Sequence, residues 1–111
     1  MIEVILLNHL NSKLEEQVFL EKPEPALGKY VLIEKIGGSK SNHLPSATFA
    51  FQSYAPDLYN AAALNERVKT VVESLIELNE IRGITFNTDY NFTDVRTKQY
   101  RYQAVFDIKY Y

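Results

Sequence analysis

The hydrophobic pattern changes period at Pro56, and this change constrains the fold more than any other feature of the chain. Before it, Phe49 and Phe51 alternate with small or polar residues, which is the period of a β-strand. After it, leucine, alanine and valine recur every three or four residues as far as Leu78, which predicts an amphipathic helix. Pro56 suits a first helical turn, and Asp57 favours the positive end of the helix dipole. We therefore expect a helix from Asp57 to Leu78 that buries its apolar stripe on a sheet.

The remaining elements follow from the same two periods. Apolar residues at helical spacing predict a short helix over residues 2–16, and β-branched or alternating stretches predict five strands. The strands are expected within residues 17–21, 30–36, 47–54, 84–92 and 98–111. The order α-β-β-β-α-β-β predicts one α+β domain over residues 1–111, with two helices packed on one face of a mainly antiparallel sheet. Arg67 belongs to the polar face of the long helix, where we expect its removal to change stability little.

Charge and composition exclude several classes of function. The chain of 111 residues has a formal net charge of −2, so it has no bulk attraction to phosphate backbones or anionic lipid. It contains no cysteine, which excludes disulfides and thiolate metal sites. We expect neither a signal peptide nor a membrane anchor, because the start has no basic leader and no apolar run is long enough to span a bilayer. These features fit a cytosolic protein.

No residue pattern predicts catalysis or a bound cofactor. The two histidines, His9 and His43, do not have the spacing of metal ligands. We expect His9 at the surface or at a helix edge, whereas His43 either holds its loop or donates a hydrogen bond to a partner. The acidic residues Asp89 and Asp94 lack the glycine and the closing glutamate of a calcium loop. We interpret them as turn-forming residues that face solvent, and we expect a non-enzymatic protein without a cofactor or metal.

The stretch GGSKSNHLPS, residues 37–46, has the composition of a long loop. Two glycines, a lysine and serines suggest a phosphate-binding loop, but the GxxxxGK[ST] spacing is absent and a strand follows instead of a helix. We therefore favour a flexible hairpin between two strands. We expect the segment from Gly37 to Leu44 to be mobile in the monomer and ordered by a partner, since such a loop is a natural arm for reaching a neighbouring subunit.

The C-terminal stretch, residues 89–111, is rich in aromatic side chains. Alternation in the last strand defines two faces, one with Tyr100, Tyr102, Ala104, Phe106, Ile108 and Tyr110, the other with Arg101, Gln103, Val105, Asp107 and Lys109. Aromatic residues on a sheet can stack nucleic-acid bases, but those sites combine them with a positive groove. We expect Tyr102, Ala104 and Phe106 in the core instead. Tyr110 and Tyr111 are expected at a protein contact, where tyrosine is enriched.

Three segments are distinctive: IEKIGGSKSNH, QSYAPDLYNAAALNE and DYNFTDVRTKQYRYQA. Together with the residues around them, from Val18 to Tyr111, they resemble small tail-completion proteins of phages and prophages of Gram-positive bacteria. Those proteins are similar to the tail terminators of long-tailed phages. The resemblance implies an α+β structural protein that caps the tail tube as a hexameric ring, stops tube polymerisation and offers a surface to the head connector.

The resemblance also implies partners and a place of action. The partners are copies of the chain itself, in a hexamer when assembled, the tail tube protein and the head–tail connector protein. The place is the bacterial host cytoplasm during assembly and then the tail–head junction of the virion. Ring contacts join two different faces of neighbouring subunits, so the sheet edges and the glycine-rich loop are the expected faces. The candidate contact residues are Lys40, Asn42, His43, Arg101, Lys109, Tyr110 and Tyr111.

Two other functions stay open. One is another neck or head-closure component of the phage, and the other is a small module that binds nucleic acid or a small ligand. A terminator is expected to form rings or bind tail tubes, and it is expected to bind neither a membrane nor, tightly, free DNA.

Overall fold

The computed structural model describes residues 1–25, 27–41 and 43–111, and it confirms the α+β class and the order of the elements. The helices are α1 (Ile2–Lys13) and α2 (Leu58–Glu73), and a 3₁₀ helix (Ser74–Glu77) continues α2. The strands are β1 (Val18–Phe19), β2 (Tyr30–Ser41), β3 (Leu44–Ala55), β4 (Ile81–Asn91) and β5 (Tyr100–Tyr110). None of the described helices is both long enough and apolar enough to cross a membrane.

The five strands form one sheet in the order β1-β2-β3-β5-β4. The last strand of the chain, β5, is therefore central, and β4 lies at the edge. β1 pairs with β2 in parallel at Val31 and Leu32 only, and the other three strand pairs are antiparallel. Within the described residues, the sheet thus ends at β4 on one side and at the distal half of β2 on the other.

The core lies between the two helices and one face of the sheet, here called the helix face. Val68 and Val72 of α2 are fully buried with Leu6 and Leu10 of α1 in one cluster of apolar side chains. From the sheet, this cluster contains Val31, Ile33, Ala47, Phe49, Phe51, Ala104, Phe106 and Ile108. The predicted packing of the helical stripe on the sheet is confirmed, and Ala104 and Phe106 are core residues as expected. Tyr102 was expected there too, but it is only half-buried.

Helix α2 begins at Leu58, and Asp57 caps its first turn. Oδ1 of Asp57 accepts a hydrogen bond of 2.8 Å from the backbone N–H of Asn60, which satisfies one of the free donors of the first turn. This bond lowers the pKa of the Asp57 carboxyl. The regular α-helix ends at Glu73, earlier than predicted, and the 3₁₀ helix completes the segment.

The stretch from Gly37 to Leu44 forms a hairpin between two strands, as expected, but most of its described residues belong to the strands and not to a loop. That a partner orders this segment stays a prediction. β2 continues to Ser41 and β3 begins at Leu44, so most of the stretch is a paired antiparallel hairpin. Gly37 pairs with Thr48, and the hydroxyl oxygens of Ser39 and Ser46 are 2.9 Å apart across the two strands. The composition resembles that of a loop, but the pairing with β3 satisfies the backbone groups of the segment and so overrides the local preference.

His9 is buried, contrary to the expectation of a surface position. Its Nε2 lies 2.8 Å from the hydroxyl oxygen of Ser74, and this contact joins the end of α1 to the start of the 3₁₀ helix. Burial lowers the pKa of the His9 imidazole below its ordinary value, so the neutral form is favoured in the folded state. His9 is therefore a packing residue between the two helical segments.

Candidate assembly surfaces

The sheet face that points away from both helices, here called the open face, carries a chain of hydrogen-bonded polar side chains. Gln103 of β5 donates to the Tyr90 hydroxyl at 2.6 Å, and Gln52 of β3 donates to Gln103 Oε1 at 2.7 Å. The Tyr54 hydroxyl in turn donates to Gln52 Oε1 at 3.2 Å. The two glutamines are buried although neither α1 nor α2 packs on this face. The network therefore ties β3, β4 and β5 together.

Arg101 lies at one end of this network. Its Nη1 donates to the Tyr54 hydroxyl at 2.8 Å, and its Nε donates to the carbonyl oxygen of Phe92 at 2.6 Å. The guanidinium carbon is 4.4 Å from the centroid of the Phe92 ring, a distance typical of a cation–π contact. Arg101 thus fastens the segment after β4 to the open face, and this structural role accompanies any contact with a partner.

Five of the seven candidate contact residues belong to the other end of the sheet, here called the hairpin end. Lys40 lies in β2 and His43 lies in the turn before β3, where it is exposed with a φ of 67°. Lys109 pairs with Ser46 of β3, which brings the end of β5 next to the hairpin. Asn42, the sixth candidate, lies outside the described residues.

Tyr110 and Tyr111 complete the hairpin end. Arg82 joins them to the hairpin, because its Nε donates to the carbonyl oxygen of Tyr110 at 3.1 Å and its Nη2 donates to that of Pro45 at 3.2 Å. Tyr110 is half-buried against the core, whereas Tyr111 is 72% exposed. Arg101 is eight residues from Lys109 along β5, about 27 Å in an extended strand, so the structure separates it from this group.

The two long edges of the sheet are formed by different strands and carry different side chains. The first, here called the β2 edge, comprises Glu34–Ser41, and every one of these side chains is exposed. The second, here called the β4 edge, comprises residues 85–91, with Phe86 47% exposed and Tyr90 40% exposed. Each edge contains a bulge, after Lys35 and after Phe86 respectively. Neither edge pairs with a further strand among the described residues.

Polar and charged contacts join the middle of α2 to neighbouring segments on two sides of the helix. Lys69 donates to Asp89 of β4 at 2.8 Å, as does the side-chain amide of Asn65, and the hydrogen bond from Lys69 lowers the pKa of the Asp89 carboxyl. On the other side, Arg67 binds Glu16 in the segment between α1 and β1. This ion pair gives Arg67 a contact that its place on the polar face of α2 did not predict, and it argues for a larger stability effect than the small one expected from sequence. Sequence inspection could not reveal this pair, because its two residues are remote in the chain and unremarkable individually.

The described residues contain no group of three or more histidine and acidic side chains that could hold a metal ion. No protein-family model and no curated protein matches this chain. The surfaces considered below as candidate contacts are the open face, the hairpin end and the two sheet edges.

Proposed function

We propose that this protein is a phage structural protein that caps the tail tube as a hexameric ring, ends tail polymerisation and forms the joining surface for the head. Two lines of support lead to the proposal. The first is the resemblance of the segments from Val18 to Tyr111 to tail-completion proteins. The second, which carries the structural argument, is the presence of two unlike open edges on opposite sides of one sheet.

Two unlike edges favour rings because they favour head-to-tail association. When one patch of a subunit binds a different patch of the next subunit, the first and last subunits of the row each keep one unbound patch. Further subunits can therefore add until the row closes into a ring. The β2 edge and the β4 edge are such a pair of patches. Strand direction agrees with this, because the antiparallel pairs β2–β3, β3–β5 and β5–β4 make β4 run opposite to β2. Copies placed edge to edge would continue one antiparallel sheet.

The experiment is gene deletion in the phage, followed by complementation. We expect the deletion to give overlong tails that fail to join heads, and the wild-type gene to restore normal particles. Lys40→Glu, at the exposed β2 edge, is expected to fold normally and to fail in complementation, because a charge reversal at an interface opposes association. Arg96→Glu, an exposed charge between β4 and β5, is the control that should complement. Normal particles from the deletion would refute the role.

The same experiment separates the alternatives. Loss of a head-closure component is expected to leave tails of normal length that fail to join heads, whereas loss of a terminator changes tail length. Tight binding of free DNA by the purified protein at physiological salt would favour the nucleic-acid-binding module instead.

A further inference from the structure

One row of directly opposed residues crosses the sheet from edge to edge. Lys35 of β2 pairs with Phe49 of β3, Phe49 pairs with Phe106 of β5, and Phe106 pairs with Phe86 of β4. Directly opposed residues project to the same side of a sheet, and Phe49 and Phe106 belong to the core. The whole row therefore lies on the helix face, with a lysine at one exposed end and a phenylalanine at the other.

The β4 end of this row is an apolar ring within an acidic surround. Phe86 packs edge-on against Phe106 with ring centroids 5.3 Å apart, yet it remains 47% exposed. Glu66 and Glu73 of α2 border the same shallow groove together with Lys69. Lys69 is already bound to Asp89 and Glu66. Because these two carboxylates and that of Glu73 face a single lysine, the surface around Phe86 is net negative.

The β2 end of the row has the complementary character. Lys40 pairs with Pro45, which lies two residues from the core residue Ala47 on the same side of β3, so Lys35 and Lys40 both project on the helix face. Ile36, at the bulge between them in sequence order, is 51% exposed. The charged residues that the β2 edge itself projects on the helix face are thus these two lysines, with Ile36 exposed between them, although Glu3 and Glu21 line a groove beside Lys35. The β4 side offers two glutamates and an exposed aromatic ring.

We infer that the β4 edge of one copy pairs with the β2 edge of a second copy, so that the second copy's lysines meet Glu66 and Glu73 beside Phe86. Strand direction permits antiparallel pairing, and both charged sets then lie on the helix face. Pairing of two β2 edges would oppose lysine to lysine, and pairing of two β4 edges would oppose glutamate to glutamate. The inference names the contact through which the subunits of the proposed ring would join. It rests on the proposed function only for the number of copies in the ring.

The first test compares two variants, each of which has one of its two edges disabled by a substitution. Ile36→Asp disables the β2 edge and Phe86→Asp disables the β4 edge, and each places an unpaired charge in the contact. We expect each variant alone to raise the dissociation constant for self-association about 30-fold or more. A mixture should form a 1:1 dimer and nothing larger, because only one intact edge of each kind remains. Analytical ultracentrifugation up to millimolar concentration measures the species present, and circular dichroism checks the fold.

The second test reverses the charges. Lys35→Glu with Lys40→Glu, and Glu66→Lys with Glu73→Lys, should each block self-association through repulsion between like charges. Mixing the two double variants should restore assemblies in which they alternate, because each edge then meets its complement. Arg96→Glu is the charge-matched control that should assemble as the wild type does.

The inference is overturned if the wild-type chain stays monomeric at millimolar concentration, if the aspartate variants assemble as well as the wild type, or if mixing the reversed variants restores nothing. These outcomes can be told apart from failure of the proposed function. Edge-dependent association with normal tails after gene deletion would keep the pairing and refute the terminator. Overlong tails after deletion, together with self-association that the substitutions at both edges leave unchanged, would keep the terminator and refute the pairing.

Discussion

Arg67 and Glu16 form a two-point ion pair: Nη1 and Nη2 of Arg67 donate to Oε1 and Oε2 of Glu16, each at 2.8 Å. Parallel hydrogen bonds of this kind combine charge with a fixed geometry. The Glu16 side chain is only 9% exposed, and Lys29 approaches it at 3.3 Å from the other side. The Arg67 hydrogen bond lowers the pKa of Glu16 from its ordinary value of 4.5 to about 2. The pair therefore fastens the segment after α1 to helix α2.

Removal of Arg67 is expected to destabilise the protein. We expect Arg67→Ala to cost about 1–2 kcal/mol at neutral pH, since it leaves a largely buried carboxylate with a weaker partner, although partial exposure of Arg67 screens the pair. Lys29→Ala is the control, with an expected cost below about 0.5 kcal/mol because Lys29 makes a single, longer contact of 3.3 Å instead of two hydrogen bonds. Urea unfolding of both variants measures the difference. Equal stability of Arg67→Ala and the wild type would contradict the assignment.

The same ion pair predicts a pH dependence. Because the folded-state pKa of Glu16 lies below its unfolded-state value, its contribution is fully present above pH of about 4.5 and is lost as the pH falls through about 2. We expect the stability gap between wild type and Arg67→Ala to be constant from pH 7 to 5 and to narrow below 4.5. Urea titrations at several pH values measure it. A gap that widens on acidification would show that another group is responsible.

Two stacked tyrosines on the open face are expected to respond in opposite ways to loss of the hydroxyl. Their rings are 4.4 Å apart and nearly parallel. The buried Tyr30 hydroxyl has no hydrogen-bond partner among the described residues, so Tyr30→Phe should be neutral or stabilise by up to about 1 kcal/mol. The Tyr54 hydroxyl binds Arg101 and Gln52, so Tyr54→Phe should cost about 1–2 kcal/mol. Thermal unfolding compares the two, and a larger loss for Tyr30→Phe would refute this account.

The elements that depend on local pattern were predictable from sequence. The stripe of α2 and the alternation of β3 and β5 specify their own faces, because side-chain direction follows from the period alone. Burial of Gln52 and Gln103 was not predictable, since alternation tells which face a residue occupies but not whether neighbouring strands cover it. The extension of β2 through Gly37 was also missed, because the pairing of Gly37 with Thr48 depends on a partner strand and not on the composition of the segment.

The candidate surfaces depend on sheet order, which the sequence does not reveal. β5 lies between β3 and β4, so the last strand of the chain is central and β4 becomes an edge. The exposure of Phe86, and with it the β4 edge, follows from this insertion. The resemblance directed attention to the glycine-rich segment and the final strand, and it gave no reason to consider β4. Three-dimensional pairing was needed to find that surface.

Substitutions at the hairpin turn test the pairing of β2 with β3 on either side of it. His43 has a positive φ, which glycine adopts without a steric penalty. We therefore expect His43→Gly to stabilise the protein by about 0.5–1 kcal/mol, and His43→Val to destabilise it. Ser41→Gly, within β2, is the control and should cost about 0.5–1 kcal/mol through lost backbone entropy. If differential scanning calorimetry shows that both glycine variants lower the melting temperature alike, the segment is not a tight hairpin.

Arg101 and Lys109, two candidate contacts on the same face of β5, are expected to differ in stability effect. Arg101 makes two hydrogen bonds and stacks on Phe92, so Arg101→Ala should cost about 1–3 kcal/mol. Lys109 is exposed, and Lys109→Ala should stay within about 0.5 kcal/mol of the wild type. Chemical denaturation measures both. A charge reversal at Lys109 can then report on assembly alone, whereas one at Arg101 would combine assembly with folding; equal losses in the two alanine variants would remove this distinction.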